Sequence, residues 1–506
     1  MCQCCMNRRE FLGVTTVLAA AGAATMAPGA FASTPAWPET LWNPDRAHLR
    51  LGKPLRVQPV LMYRIPVRRE MASWKSWGGI QTEEAAGDEV NRITAELAGL
   101  ASEADFAVEM LPVARVTTPE EAAKVHESGA DATVVYPDTG SGSMLQAALP
   151  ETGGLIFVRH KSGPVYYWYE ALSVRQLRKD GEGPDPERRA SVQDVVVDDT
   201  QELLWRLRAL YAVKNFMGAR VVALGGPQGK YVDNAPEFVR ERFHFDIVDV
   251  SYEDLGARIG SVLADKEKMA LCERWADRYL ALPNTTLETG RAFVVNAFAL
   301  YGIFKDILAE AGTELFTINE CMNTILPMSK TTACLTLGLL NDEGYAAFCE
   351  SDFVIVPAGI FLRYLCGKPV FMHNSTFPHG GVVTCAHCTG PRRMDGVHYD
   401  PVRVMTHYES EYGAAPKVEI PVGQELTFIS PEFTTGRWVG IRGVVEDNPF
   451  YEICRSQQDV RIHGDWKKLM NEVRDSHWMM VYGDYLKEIA YAAPRIGITL
   501  DCISEA

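Results

Sequence analysis

Residues 220–250 constrain the fold most tightly. Arg220-Val-Val-Ala-Leu224 is a short, mostly apolar run that ends at a glycine turn, Gly225-Gly-Pro-Gln-Gly-Lys230. A helical stretch follows, and then a second strand-like run, Phe245-Asp-Ile-Val-Asp-Val250. Strand, turn, helix, strand in this order is a parallel crossover, because parallel neighbours are joined by a connection long enough to hold a helix. Ligands of such sheets bind beyond the carboxyl ends of the strands. The glycine turn lacks the G-x-x-x-x-G-K-[ST] spacing of a phosphate loop, since Tyr231 follows Lys230. It reads as a tight turn at a strand end, from which Lys230 could still reach a ligand.

The same alternation extends in both directions. Leu55 to Tyr63 is an apolar strand, Glu89 to Ser102 has helical spacing, and Ala132–Tyr136 and Gly154–Val158 are further strands ending in turn residues. These define a first α/β domain, residues 50–195, which closes on the charged, proline-bearing segment Arg178 to Arg189. A second α/β domain, 196–365, starts with the helix Gln201 to Phe216 and includes the long apolar helical segment Glu288 to Ala311. From 366 to 506 the chain is β-rich, with strands at Lys417–Ile420, Glu425–Ile429, Arg437–Val445 and Val460–Ile462. Gly and Pro between them suggest an antiparallel barrel or sandwich. A helical stretch Trp466–Val473, the segment Ser476–Asp484 and a last helix complete it. The fold class this predicts is α/β: two Rossmann-like parallel α/β domains followed by a mostly antiparallel β domain.

Residues 1–32 read as an address rather than as part of the fold. Arg8-Arg9-Glu-Phe-Leu12 is a twin-arginine signal, followed by a small-residue apolar run and Ala30-Phe31-Ala32 as a cleavage site. The run is too short for a membrane span, which needs roughly twenty apolar residues. The expected location is therefore periplasmic or extracellular. The twin-arginine route carries folded proteins, so a metal could be loaded before export. No second long apolar run suggests a membrane partner once the signal is gone. A formal charge of −15 argues against nucleic acid and anionic lipid, both of which select basic patches. Three of the twelve cysteines leave with the signal, and the odd remainder, folded in a reducing compartment, argues against a disulfide framework. Cys385-Ala-His-Cys388 could be half of a zinc site but lacks a second pair, so buried thiols beside a strand end are the simpler reading.

Chemistry concentrates between Thr313 and Arg393. Glu320 follows the apolar run Leu315–Ile318, and Asp352 opens the apolar stretch Phe353–Leu365. With His373, His379 and His387 close by in sequence, these carboxylates form a candidate site for a hard cation such as Mn or Mg. Glu320 and Asp352 could instead cap helices, and Glu350 is as suitable a ligand as Asp352. His387 and His477 could be hydrogen-bonded core histidines. The aromatic run Tyr166–Tyr169 fits a core or interface better than a sugar platform.

Phe348-Cys-Glu-Ser-Asp352, Gly367-Lys-Pro-Val-Phe-Met372, Ala386-His-Cys-Thr-Gly-Pro391 and Ser476-His-Trp-Met-Met-Val-Tyr-Gly-Asp484 together resemble the fucose/arabinose isomerase family. The resemblance runs from about Val221 to the end and is strongest between Asn319 and Arg393. It implies Mn²⁺ in a cleft beneath the second and third domains, held by Glu320, Asp352 and His477, and a homo-oligomer, a trimer or hexamer. Glu350, His387, His373 and Lys230 are expected beside those ligands or as alternatives to them. The implied activity is an intramolecular oxidoreduction, aldose to ketose through an enediol, on an unassigned sugar or sugar derivative. In it a divalent ion polarises the carbonyl, and Glu320 and Asp352 abstract and return the proton. The alternative is an exported sugar-binding or assembly protein that keeps the fold without turnover.

Overall fold

The computed structural model describes residues 36–167, 172, 177–178, 189–432, 436–473 and 475–504. The expected export signal, most of the segment Arg178–Arg189, and Trp168 and Tyr169 lie outside the described residues. The chain divides into two compact units, Gly52–Asn215 and the rest of the described residues.

In the unit Gly52–Asn215 a parallel sheet runs in the order Val108–Met110, Leu55–Met62, Ala132–Pro137, Gly154–Val158, Val195–Val197. Ala114–Val116 pairs further along Leu55–Met62. The helix Glu83–Glu103 starts where the Thr82 hydroxyl accepts the N–H of Ala85, and it buries Ile93, Leu97 and Leu100 at helical spacing. The helix Thr200–Phe216 belongs with this unit up to Asn215, so the boundary lies some twenty residues beyond the expected 195. The cause is local. Lys214 Nζ pairs with Asp131 at 2.6 Å and donates to the Pro54 carbonyl, while Asn215 exchanges hydrogen bonds with the Lys53 backbone.

The core of this unit holds an ion cluster. Arg159, fully buried, lies between Glu89 and Glu96, and the Tyr166 hydroxyl donates to Glu89. Of the aromatic run, Tyr166 is thus a core residue, whereas Tyr167 is exposed.

In the other unit a second parallel sheet runs in the order Asp246–Val250, Arg220–Leu224, Leu315–Ile318, Ala346–Phe348. Chain order reverses between Arg220–Leu224 and Leu315–Ile318, which is where a crevice opens in such sheets. The helix Arg291–Ala311 is long and apolar enough to cross a membrane, yet 67% of its most apolar window is buried. It is the core helix of this layer, with Phe298 against Trp275 and Phe304 against Phe316. A small sheet not foreseen in the sequence joins Thr285–Leu287, Val402–Met405 and Ala415–Val418.

The C-terminal strands close into a barrel. Glu425–Glu432, His477–Tyr482, Phe371–Ser375, Val382–His387, Ser456–His463 and Arg437–Asp447 pair antiparallel in that order, and Arg437–Asp447 returns to pair with Glu425–Glu432. Closure removes the sheet edges. Thr499–Cys502 adds in parallel on Arg437–Asp447. Phe371, Phe428, Val439, Ile441, Val460, Trp478 and Met480 share its core. Observed and expected class agree: two parallel α/β sheets followed by a mostly antiparallel β domain.

The buried cluster gives a direct test. Glu89→Ala leaves Arg159 with Glu96 as its remaining carboxylate partner, and removing one member of a buried pair costs about 3 kcal/mol. Urea unfolding should show that loss; a change below about 1 kcal/mol would mean that Glu96 alone satisfies Arg159.

Candidate metal centre

The carboxyl ends of three parallel strands supply one side of the site. After Arg220–Leu224 the chain turns through Gly225 (φ +78°) and Gly226 (φ +88°), where a Cβ on Gly225 would strike the Tyr252 ring. It then runs to Gln228, whose backbone N–H donates to the Ser351 carbonyl at 3.1 Å and whose own carbonyl accepts from Phe353 at 2.7 Å. Two loops thereby meet across the end of the strand Leu315–Ile318, which lies between them. Three non-glycine residues in the loops after Leu315–Ile318 and Ala346–Phe348 have left-handed backbones: Glu320 (φ +47°), Glu350 (φ +67°) and Ser351 (φ +48°). Each costs about 1–2 kcal/mol relative to an ordinary conformation. Strain of this kind persists where the surroundings hold it, and it clusters at functional sites.

The consecutive left-handed residues sort the two acids of Cys349-Glu350-Ser351-Asp352. Glu350 faces a cavity of about 630 Å³, placing one oxygen 3.1 Å from Lys230 Nζ and the other 3.4 Å from His477 Nε2. Asp352 turns away from the cavity lining and is fully buried. Its Oδ1 accepts the backbone N–H groups of Lys230 and Val354, each at 3.1 Å. The Lys230 N–H is thus committed to a carboxylate, which fits the tight-turn reading of the glycine segment. Burial works against charge on Glu350, but His477, Lys230 and His387 hold its carboxyl well below the usual carboxylate range. Burial pushes Asp352 up to about 6, opposed by the Lys230 N–H and aided by Asp475.

The barrel supplies the other side. Asn374 pairs with His477 across one edge of its strand and with Ala386 across the other, so His477 and His387 flank the strand Phe371–Ser375. Their rings lie 6.1 Å apart. Ligand atoms of Glu350, His387 and His477 all fall within 4.8 Å of one another, and those of Asp352, Asp475 and His477 do the same. His387 Nδ1 is 3.0 Å from the Thr389 hydroxyl, which fixes the ring and leaves Nε2 as the ligand atom. Burial pushes His387 down to about 3, so it is a neutral imidazole. For His477 burial also disfavours charge, but Glu350 and Asp352 raise it above its ordinary value.

The donor set suits a divalent cation. His477 is fully buried, yet among the described residues its Nδ1 makes no hydrogen bond and its Nε2 has only the 3.4 Å ion pair with Glu350. Buried polar atoms are seldom left so. One carboxylate and two imidazoles are a normal set for Mn²⁺ and its neighbours, which keep further positions for substrate or water.

The expected ligands were Glu320, Asp352 and His477. Of these, His477 lies at the junction of both clusters, and Asp352 belongs with it to the second. Glu320 lines the cavity but belongs to neither cluster. It makes no capping hydrogen bond to the turn that follows, so the helix-cap reading does not describe it; its contact is with Asn323 at 3.3 Å. Glu350 and His387, held as alternatives, converge with His477 in the first cluster. Lys230 lines the cavity as the ion-pair partner of Glu350. His373 is fully buried among Phe371, Phe428 and Trp478, where burial pushes it down to about 3. His379 is exposed. Cys385 and Cys388 do not act as a pair: Cys385 belongs to the barrel core and Cys388 to a separate cluster. Sequence reasoning missed Asp475, which accepts the His477 N–H at 2.9 Å, and its position two residues before the histidine was the available signal. A scan against models of protein families gives no match, and a search of curated proteins gives none.

Replacing Asp352 separates its roles. Asp352→Asn keeps an oxygen for the Lys230 and Val354 N–H groups and should change stability by less than about 1 kcal/mol. Asp352→Ala leaves both donors unpaired and should cost about 2–5 kcal/mol. Equal effects of the two variants on the denaturation midpoint would show that those bonds do not hold the loop.

Proposed function

We propose that the chain is a divalent-metal-dependent, sugar isomerase-like enzyme that interconverts an aldose and a ketose through an enediol. The observation that carries this reading is the convergence of Glu350 and His387, both on the cavity wall, with the fully buried His477, while the same wall also bears Glu320, outside the ligand cluster. The resemblance of residues 319–393 and 476–484 to the fucose/arabinose isomerases supports the same chemistry. The reading includes export by the twin-arginine route and assembly as a homo-oligomer, as expected from Arg8-Arg9 and from that resemblance.

Glu350, His387 and His477 would hold the ion. Mn²⁺ bound there supplies a Lewis acid for the substrate's carbonyl and neighbouring hydroxyl oxygens. Glu320 removes the proton from the carbon beside the carbonyl and returns it to the adjacent carbon, since one carboxylate in reach of both positions can serve each half of the transfer. Its left-handed backbone sets the side chain on the cavity wall. Asp352, expected to share this proton work, is instead a positioning residue: it fixes the loop that carries Glu350 and shares the second cluster with His477. Lys230 neutralises Glu350 and keeps its carboxylate oriented. Asn374, Ser375, Thr376 and Thr384 offer hydroxyl and amide partners to sugar hydroxyls, and the exposed Tyr231 ring offers an apolar face.

Metal content and proton exchange test this together. Protein from manganese-supplemented cells should contain about one Mn²⁺ per chain, and Glu350→Gln should lose it. Glu320→Gln should keep the metal and lose C2-proton exchange in deuterated buffer by at least ~10²-fold. Exchange at wild-type rate in Glu320→Gln would remove Glu320 as the base. A wild type with metal but no exchange on any pentose or hexose would instead be a sugar-binding protein on this fold.

A further inference from the structure

The two ring nitrogens of His477 have different surroundings. Nε2, at the far end of the ring, is 3.4 Å from Glu350, in the cluster that also holds His387. Nδ1 is the nitrogen nearer the backbone, and the backbone N–H of His477 is held by Asp475 Oδ1 at 2.9 Å. Asp475 is itself fixed: it is buried, and its carbonyl accepts the Trp478 indole N–H at 3.1 Å. Asp352 reaches the same place from the loop after Ala346–Phe348.

Among the described residues, His477 Nδ1 and Asp352 Oδ2 are both buried and both without a hydrogen bond. Buried polar atoms are seldom left so. The two are complementary, one a nitrogen that can carry a proton and the other a carboxylate oxygen that can accept from it. One ligand atom each of Asp352, Asp475 and His477 lie within 4.8 Å of one another. The ring's ion pair among the described residues is with Glu350, so no direct bond joins it to either aspartate. That spacing admits one water, and a buried water makes about three hydrogen bonds. A water here would accept from Nδ1–H and donate once to each carboxylate. A second cation is the competing occupant of the same donors. It would have to displace the Nδ1 proton while Nε2 binds the first ion, and a neutral imidazole has only one unprotonated nitrogen to give. A water needs no such change.

We propose that Asp475 and Asp352 are positioning residues for the metal centre: through one buried water they hold the proton on His477 Nδ1, so that Nε2 is the nitrogen offered to the ion. Ligating histidines donate their other ring N–H to a carboxylate, carbonyl or water, which fixes the tautomer and raises the basicity of the ligating nitrogen. His387 is fixed in the same sense by the Thr389 hydroxyl, 3.0 Å from its Nδ1. Both imidazoles are thereby set to bind through Nε2, one by a hydroxyl and the other by a pair of carboxylates. Both aspartate roles rest on His477 as a metal ligand and not on the isomerase reading.

The test uses the full-length protein with isotope-labelled histidine, loaded with diamagnetic Zn²⁺ and read by nitrogen NMR, together with calorimetric titration of Mn²⁺. In the wild type His477 should show a protonated Nδ1 and a metal-bound Nε2, its signals identified by their loss in His477→Gln. Asp475→Asn keeps an oxygen for the His477 N–H but replaces a carboxylate by an amide that donates. It should weaken Mn²⁺ binding roughly 10–100-fold and shift or abolish the Nδ1–H signal, with the denaturation midpoint of the metal-free protein unchanged. Asp352→Asn, which keeps its loop bonds, should do the same and decides the matter if Asp475→Asn does not fold. Mn²⁺ affinity within about 2-fold of wild type in these variants, or metal on Nδ1, would overturn the proposal and leave the metal centre standing. A second ion per chain that disappears in Asp475→Asn would overturn it in favour of a cation. A wild type that binds neither metal would overturn both the proposal and the metal centre.

Discussion

The site depends on one buried carboxylate. Asp352 Oδ1 accepts two backbone N–H groups, one from its own loop and one from Lys230, more than a hundred residues earlier in the chain. These two bonds tie down a loop in which two left-handed residues each cost about 1–2 kcal/mol relative to an ordinary conformation. The loops after Arg220–Leu224 and Ala346–Phe348 are thus pinned together, with Glu350 and Ser351 held in conformations they would not adopt alone. Asp352 gives up direct access to the cavity, and Glu350 gains it.

The two sides of the cavity differ in how they hold their groups. Carboxylates come from strained loops at the ends of parallel strands, whereas the histidines sit at strand ends of a closed barrel. His477 pairs directly with Asn374 and is backed by Trp478 and Met480 in the barrel core. Such a ring cannot move far without disturbing the closed sheet. Electrostatics then follow from placement. Glu350 between Lys230 and His477 stays an anion, and His387, buried beside Thr389, stays neutral. These are the protonation states that a divalent cation requires of those two ligands, whereas His477, raised by Glu350 and Asp352, would release its proton on binding the ion.

Much of the architecture was legible because it is written in local patterns. Gly154–Val158 and Arg220–Leu224 are continuous apolar runs bounded by turns, and both strands have the expected limits. The helix Arg291–Ala311 announced itself by apolar spacing. Strands of three residues that pair across more than a hundred positions, such as Thr285–Leu287 with Val402–Met405, carry no comparable local signal. The site was half legible. Motif positions brought the right segments together, but the choice between Glu350 and Asp352 turns on two φ angles that no sequence pattern reveals. Glu320 was seen as an acid at a strand end, and only the three-dimensional arrangement separates it from the ligand cluster. Cys385 and Cys388 are buried thiols, as read, but that they belong to different clusters, Cys385 to the barrel core and Cys388 with Cys334 and Cys454, has no local signal.

The central claim is that a cation is held by Glu350, His387 and His477 while Glu320 remains outside its shell. A crystal grown or soaked with Mn²⁺, with data collected at the manganese absorption edge, tests this most directly. The account predicts one anomalous peak per chain, within about 2.0–2.3 Å of an oxygen of Glu350 and one ring nitrogen each of His387 and His477. A peak bound by Glu320 and Asp352, or no peak at saturating Mn²⁺, would contradict it.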